Sequence, residues 1–387
     1  MELDNCQPQL RFPPYTDPWI KIKLSDLADI YQPATISSMD CHSDGVYPVF
    51  GANGIIGRFD KMNHETDQVC VSCRGANCGK VNYVTAPVWI TGNSMVCNVD
   101  TNAIVDKTFF YYALCCVDYL PVITGGAQPQ ITRDKLQKVV ISIPDVNEQK
   151  EIGEFLFQLD KLISLNQSKC DAILKYRNGL LQHMFPQSDE TIPRIRFPGF
   201  TEPWKQRKLG ELYIERKEKG NDSLQILSVS IHSGVSDGEL DEEKLGKTVR
   251  RSEDKSTYKH VYSGDLVFNM MRAWQGAIGV VKSEGMISPA YISAIPNNEV
   301  YPLFMDYALR RKEAIAQIND LSYGVTDFRK RLYWDSFIDV KCMLPAVEEQ
   351  KAIWWFFKAI DDTISLYKRK CDELKMYKRG LLQKMLV

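Results

Sequence analysis

Residues 147–184 (NEQKEIGEFLFQLDKLISLNQSKCDAILKYRNGLLQHM) and 348–385 (EEQKAIWWFFKAIDDTISLYKRKCDELKMYKRGLLQKM) align without a gap. Gln149 falls opposite Gln350, Asp160 opposite Asp361, Cys170 opposite Cys371 and Gly179 opposite Gly380. No other feature constrains the fold as strongly. A chain made of two similar halves builds two similar bodies and can relate them by a pseudo-two-fold axis. Duplex DNA has that symmetry, and proteins that read it often mirror it.

Each copy also opens on a similar phrase, RFPPYTDPW (11–19) and RFPGFTEPW (196–204). Between this phrase and the shared segment the second copy is longer, and the interiors diverge. Ends alike and interiors different describe one scaffold that displays two different surfaces.

The shared segments carry a helical seam. In the first, Ile152, Leu156, Leu159, Ile163, Asn166, Cys170, Ile173, Arg177, Leu180 and Met184 recur at alternating steps of four and three. Ile353, Phe357, Ile360, Ile364, Tyr367, Cys371, Leu374, Lys378, Leu381 and Met385 do the same in the second. This is the coiled-coil period, with Asn166, Arg177 and Lys378 as polar interruptions of the kind that fix register. Each helix is expected to run about 57 Å at 1.5 Å per residue. Residues 185–199 (FPQSDETIPRIRFPG) are rich in proline and polar residues and read as a linker, which lets the two helices pair antiparallel.

The interiors read as mixed α and β. VYPVFGANGIIGRFD (46–60) begins as a strand, and its glycines at 51, 54 and 57 imply turns. QVCVSC and DLVFNMM read as matching buried strands, and residues 109–114 and 304–309 as matching short helices. IPDVNEQK and LPAVEEQK place a proline just ahead of each long helix, where it stops the strand and lets the helix begin.

With 387 residues, 44% hydrophobic and 25% charged, the chain has the profile of a soluble globular protein of two or three domains. It has no apolar run of the roughly 20 residues that span a bilayer. The polar start MELDNCQPQL does not read as a signal peptide, so the cytoplasm is the expected location. The net charge of −1 argues against a uniformly basic DNA binder and requires any basic face to be segregated. Eleven cysteines do not suggest a disulfide framework. Cys70 and Cys73 have zinc-like spacing, with Cys78, His64 and Cys97 as possible additions. The second copy has Phe268 and Met271 at the matching positions, so these cysteines are expected to fill apolar space, and no metal is expected.

Catalytic motifs are not legible. Phe12-Pro13-Pro14-Tyr15 approaches the Pro-Pro-aromatic motif of amino-methyltransferases, but Phe12 stands where Asp or Asn is required. No glycine-rich loop follows a strand as a nucleotide or S-adenosylmethionine site demands, and the five histidines form no nucleophile–base pattern. Neither a catalytic residue nor a cofactor is expected. Cations and amides do gather in the divergent interiors. The first copy offers Arg58, Lys61, Arg74, Asn77, Lys80, Gln128, Gln130 and Arg133. The second offers Arg250, Arg251, Lys255, Lys259, His260, Arg272, Gln275, Arg329, Lys330 and Arg331. Arg bonds guanine bidentately, Asn and Gln bond adenine, and Lys holds phosphate. Tyr258, Trp274, Tyr323 and Trp334 suit either a base or the core.

Taken with the two EQK helices, the phrases TGGAQPQITRDKL (124–136), NMMRAWQGAIG and SYGVTDFRKRLYWDSF make the chain resemble the specificity subunits of type I restriction-modification systems. The resemblance covers essentially the whole chain. It implies an α+β fold: two mixed α/β target-recognition domains joined by two long helices in an antiparallel coiled coil, an internal pseudo-two-fold repeat. The domains expected are 1–146 for the first recognition domain, 147–184 for the first helix and 185–203 for the linker. The second recognition domain is expected at 204–346 and the second helix at 347–387. Each recognition domain would read one half of a bipartite, asymmetric site on double-stranded DNA, and the helices would set the gap. The resemblance further implies two methyltransferase subunits and restriction subunits as partners, docked on the helices, with Glu148, Gln149, Lys150, Glu349, Gln350 and Lys351 as candidates. The alternatives are a stand-alone bipartite DNA-binding or scaffold protein, and an enzyme with an unrecognised site.

Overall fold

The computed structural model describes residues 7–36, 41–126, 128–187, 190–238, 257–324 and 329–386. The chain divides into two compact units, Met1–Cys170 with Tyr367–Val387, and Asp171–Leu366. The boundary cuts both long helices, so each unit owns one lobe of sheets and a portion of each helix.

The first unit contains strands β1 (Ile20–Lys23), β2 (Asp29–Tyr31), β3 (Tyr47–Phe50), β4 (Ile55–Phe59), β5 (Gln68–Ser72), β6 (Val81–Val84), β7 (Trp89–Ile90), β8 (Ser94–Asn98) and β9 (Val140–Ile143). A four-stranded sheet runs in the order β2-β8-β5-β6, a three-stranded one in the order β4-β3-β7, and β1 pairs with β9. In the larger sheet Val69 sits opposite Cys97 and Cys70 opposite Val96. Successive side chains of a strand point to opposite faces. Val69, Val71, Met95 and Cys97 therefore face the main core, which includes helix Lys107–Cys115. Cys70, Val84 and Val96 face Phe50, Val88 and Ile90 around the smaller sheet. Covered on both sides, β5 is buried at every residue, which explains its unbroken QVCVS run. Cys70 and Cys97 lie in separate apolar clusters, as fillers of the two cores.

The second unit follows the same plan. Its strands are β10 (Lys205–Lys208), β11 (Tyr213–Arg216), β12 (Val229–Ser230), β13 (Gly234–Val235), β14 (Lys259–Val261), β15 (Leu266–Asn269), β16 (Ile278–Val280), β17 (Gly285–Ile287), β18 (Tyr291–Pro296) and β19 (Lys341–Leu344). The four-stranded sheet β11-β18-β15-β16 matches that of the first unit, and β10 pairs with β19 as β1 does with β9. Helix Pro302–Leu309 takes the place of Lys107–Cys115. The longer interior accommodates an additional helix, Lys312–Leu321, which buries Ile318 in the core.

The long helices run Val146–His183 and Val347–Met385. The Asp145 carboxylate accepts from Asn147 N at 2.9 Å and caps the first, and Pro186 follows its end. In the first unit Asp160 meets Lys378 and the Ile163 carbonyl meets Cys371 Sγ. One number falls as the other rises, so the helices are antiparallel there. Ile152, Leu156 and Leu159 of one helix and Leu381 and Met385 of the other enter the lobe's core. Leu180 and Met184 with Ile353 and Phe357 do the same in the second unit. The seam thus serves as both helix pairing and lobe core.

Two described residues of 185–203 are fixed to the second unit. Phe185 is buried among Trp204 and Phe304, and Ile195 N donates to the His183 carbonyl at 2.9 Å. Leu10 N makes the matching bond to the Lys384 carbonyl in the first unit.

Candidate nucleic-acid interface

Two loops meet at one end of each four-stranded sheet. In the first unit β5 ends in a turn over 73–80, and its neighbours are the described residues 124–126 and 128–130. Thr124 and Gln130 exchange backbone hydrogen bonds of 2.8 and 2.7 Å, which closes the second loop. Gly75 N donates to the Pro129 carbonyl at 3.0 Å and Ile131 N to the Cys73 carbonyl at 3.0 Å, which ties the loops together. Gly125 sits at φ +86°, and a Cβ there would lie 2.5 Å from the Gln128 carbonyl oxygen. Glycine alone closes this loop without strain.

The second unit repeats these ties at its described residues. Tyr323 and Arg331 exchange backbone hydrogen bonds of 3.1 and 2.9 Å, and Leu332 N donates to the Met270 carbonyl at 2.9 Å. Gly324, one residue past the bridge as Gly125 is, leaves no room for a Cβ against the Arg329 carbonyl.

The scaffold is shared and the side chains are not. Arg74, Asn77, Lys80, Gln128 and Gln130 are exposed on the first pair of loops. Arg272, Gln275, Arg329 and Arg331 are exposed on the second, with Lys330 half-buried beside them. One set is rich in amides and the other in guanidinium groups, so the two offer different hydrogen-bonding patterns to base edges. Met271 and Tyr323, 47% and 50% exposed, add apolar surface to the second set. In the first unit the hairpin tip after β3 is anchored here by Ser94 Oγ, which donates to the Gly51 carbonyl at 2.8 Å, and by Ser72 Oγ to Ala52. That places exposed Ile55 and Ile56 nearby. Met271, Ile55 and Ile56 were missed from sequence because apolar residues in mixed segments read as core.

Other expected contacts are not in these loops. Arg58 lies on β4, and its guanidinium donates to the Gly45 and Val46 carbonyls at 2.6 Å, holding the preceding loop. Lys61 is exposed just beyond that strand. Lys259 Nζ donates to the Tyr291 carbonyl at 2.7 Å, an internal bond that holds its side chain against β18, and burial lowers its pKa. His260 is buried between Glu218 and Glu284. Arg133 is exposed at the head of the short helix Arg133–Leu136, 3.8 Å from Asp29. Arg250, Arg251 and Lys255 lie outside the described residues. Tyr258 is buried, Trp274 donates to the Met271 carbonyl, and Trp334 packs on Phe337.

The EQK residues are corrected by their surroundings. Gln149 is fully buried: its Oε1 accepts from Asp106 N, and its Nε2 donates to the Ile104 and Pro144 carbonyls, all at 2.9 Å. Gln350 does the same with Tyr301 N, Glu299 O and Pro345 O. Glu148 and Glu349, also buried, take bidentate hydrogen bonds from Arg11 and Arg196. A buried charge needs such a partner. These four side chains lock each lobe's opening phrase and helix to the long helix and are not offered to a partner. Lys150 is exposed, and Lys351 pairs with Glu348 at 3.0 Å.

A second tie was not foreseen. Tyr112 OH and Lys378 Nζ both donate to Asp160, at 2.7 Å. Tyr307 OH donates to Asp361 at 2.7 Å, and Arg177 replaces the lysine. Burial, and then the carboxylate, raise the pKa of both tyrosines, which stay protonated as donors.

Residues 16–175 match the family described as the type I restriction modification DNA specificity domain. The type I restriction enzyme MjaVIII specificity subunit of Methanocaldococcus jannaschii is 22% identical over 381 residues, covering 90% of this chain and 87% of the relative. The EcoprrI specificity subunit of Escherichia coli is 27% identical over 117 residues, 30% of this chain and 29% of its own length. In fold, the chain is similar to the type I restriction-modification S subunit from M. genitalium, with TM-score 0.70, 18% identity, and coverage of 98% and 99% of the two chains. The repeated scaffold with its two different loop sets, the family match and the likeness through both copies lead to one conclusion: residues 16–175 carry the type I restriction modification DNA specificity domain, and the chain as a whole is similar to the specificity subunits of type I restriction-modification systems.

Proposed function

We propose that each unit reads one half of a bipartite, asymmetric site on double-stranded DNA through its paired loops. The observation that carries this reading is the same loop construction built twice with unlike exposed side chains. Arg74, Asn77, Lys80, Gln128 and Gln130 serve one half-site, and Arg272, Gln275, Arg329 and Arg331 the other. Two different readers require two different half-sites, hence asymmetry. The long helices, about 57 Å each at 1.5 Å per residue, set the unread gap between them.

The methyltransferase subunits dock on the exposed sides of those helices. Each unit exposes an equivalent leucine and tyrosine there: Leu165 and Tyr377 in the first, Leu366 and Tyr176 in the second, all more than half exposed. Two equivalent patches suit two copies of one partner. The restriction subunits join that complex, and the assembly works in the cytoplasm. In this reading the chain supplies specificity, and the partners supply catalysis and cofactors.

The test is co-expression with the methyltransferase gene and mapping of methylated adenines across the genome, against a control lacking the chain. A split, asymmetric motif that disappears in the control is the expected result. Methylation unchanged without the chain would overturn the reading.

A further inference from the structure

Two buried hydroxyls of the first unit hold an exposed apolar tip in place. Ser72 closes β5 beside the turn over 73–80, and Ser94 opens β8 directly opposite it. Both are fully buried, so each hydroxyl needs a partner. Each finds one in the backbone of the β3–β4 hairpin: Ser94 Oγ donates to the Gly51 carbonyl at 2.8 Å, and Ser72 Oγ to the Ala52 carbonyl. Gly51 N donates to the Gly54 carbonyl at 2.8 Å and closes the turn. A Cβ on Gly51 would lie 2.7 Å from Ile56 Cγ2, so the glycine lets the Ile56 side chain lie across the tip. Ile55 and Ile56 are 59% and 61% exposed. Adjacent strand residues point to opposite faces, so the tip is apolar on both.

We infer that Ile55 and Ile56 determine specificity by contacting the C5-methyl groups of thymines in the half-site of the first unit. The inference rests on the reading that this unit's loops bind DNA. Asn77, Gln128 and Gln130 give those loops three exposed amides, the side chains that bond adenine at N6 and N7. Every adenine in a duplex is paired with a thymine, whose methyl group stands in the same major groove. That methyl is the apolar mark of the groove, and an apolar side chain recognises it. The groove also admits a two-stranded ribbon, which is the form of the β3–β4 hairpin. Tethered to the sheet by Ser72 and Ser94, the tip is positioned before DNA arrives, so the contact requires little ordering.

The test uses the full chain in complex with its methyltransferase subunits, and duplexes carrying the motif found by methylation mapping. Thymines of the motif are replaced one at a time by deoxyuridine, which lacks only the methyl group. Binding by the parent should fall about three- to fivefold at each contacted thymine, the worth of one buried methyl group. A variant carrying Ile55→Ser and Ile56→Ser should bind the thymine and deoxyuridine duplexes equally at those positions. Both residues are exposed, so this variant should fold, and the parent's own comparison of the two duplexes stands without it. Parent binding indifferent to every deoxyuridine, or a loss that the double variant shows equally, overturns the inference and leaves DNA reading by the loops intact. A double variant that loses its methyltransferase subunits assigns the tip to a protein contact and also overturns it. Methylation that does not depend on the chain defeats the underlying reading, and the inference with it.

Discussion

Lys378 Nζ donates to both carboxylate oxygens of Asp160 at 2.7 Å, so the end of the second long helix is held to the middle of the first. The Tyr112 hydroxyl reaches the same carboxylate and lies under the ammonium, which sits 5.0 Å from its ring centre. A helix pair and a recognition lobe are thus tied at one carboxylate. Arg177, Asp361 and Tyr307 repeat the tie in the other unit.

This tie predicts a coupling energy. The lysine side chain is 18% exposed and the aspartate 35%, so solvent screens the pair only in part. Lys378→Ala and Asp160→Ala should each lower stability by about 1–3 kcal/mol, and the double variant by less than their sum. Thermal unfolding of the four proteins measures the difference. Strict additivity would show that the pair is not coupled.

Gln149 makes three hydrogen bonds in full burial, and its removal leaves a backbone N–H and two carbonyls without partners. Gln149→Ala should cost about 3 kcal/mol and lower the melting temperature by several degrees, as should Gln350→Ala. Lys150→Ala, at an exposed position, should change it by less than a degree or two, about 0.5 kcal/mol. Equal effects at Gln149 and Lys150 would contradict the assignment of Gln149 to internal structure.

The loop glycine makes a separable prediction. Gly125→Ala puts a Cβ against the Gln128 carbonyl at a left-handed φ, with a strain of about 1–3 kcal/mol confined to the loop. Circular dichroism should be unchanged while methylation of one motif half becomes weak or degenerate. Gly324→Ala should affect the other half. If both variants keep the wild-type motif and methylation level, the loops do not read DNA.

Single cations in those loops should separate by role. Arg331→Ala and Arg74→Ala should each weaken DNA binding; a base contact relaxes specificity at one position by about 1–3 kcal/mol, whereas a phosphate contact lowers the salt slope by about one unit. Binding isotherms at several salt concentrations, on matched and mismatched sites, distinguish the two. Binding unaffected at every salt concentration would remove that residue from the interface.

The docking proposal is tested by Tyr377→Asp and Tyr176→Asp. Both tyrosines are more than half exposed, so the variants should fold with stability within about 0.5 kcal/mol of the parent. Each should reduce the methyltransferase subunits that co-purify with the chain, and the pair should abolish co-purification. Full recovery of the complex from the double variant would place docking elsewhere.

The sequence alone determined the duplication, the two long helices and their heptad seam, and the mixed α/β interiors between them. Those are periodic or repeated signals, carried by local spacing, and the observed helices Val146–His183 and Val347–Met385 follow them closely. The buried strand QVCVS was legible too, because a strand covered on both faces reads as an unbroken apolar run. Asp160 and Lys378 were visible as a repeated acid and a polar break in the seam, but not as partners. They are far apart in the chain, and only antiparallel pairing brings them together. Tertiary structure likewise turned the EQK motif inward: a Gln or Glu in a first helical turn looks exposed until the backbone groups and the arginine that surround it are in place. It also selected, from a broad list of cations and amides, the few that share one end of each sheet. A charged side chain carries no local mark of whether it binds a carbonyl, as Arg58 does, or stays free at a loop tip, because that depends on which distant backbone folds against it.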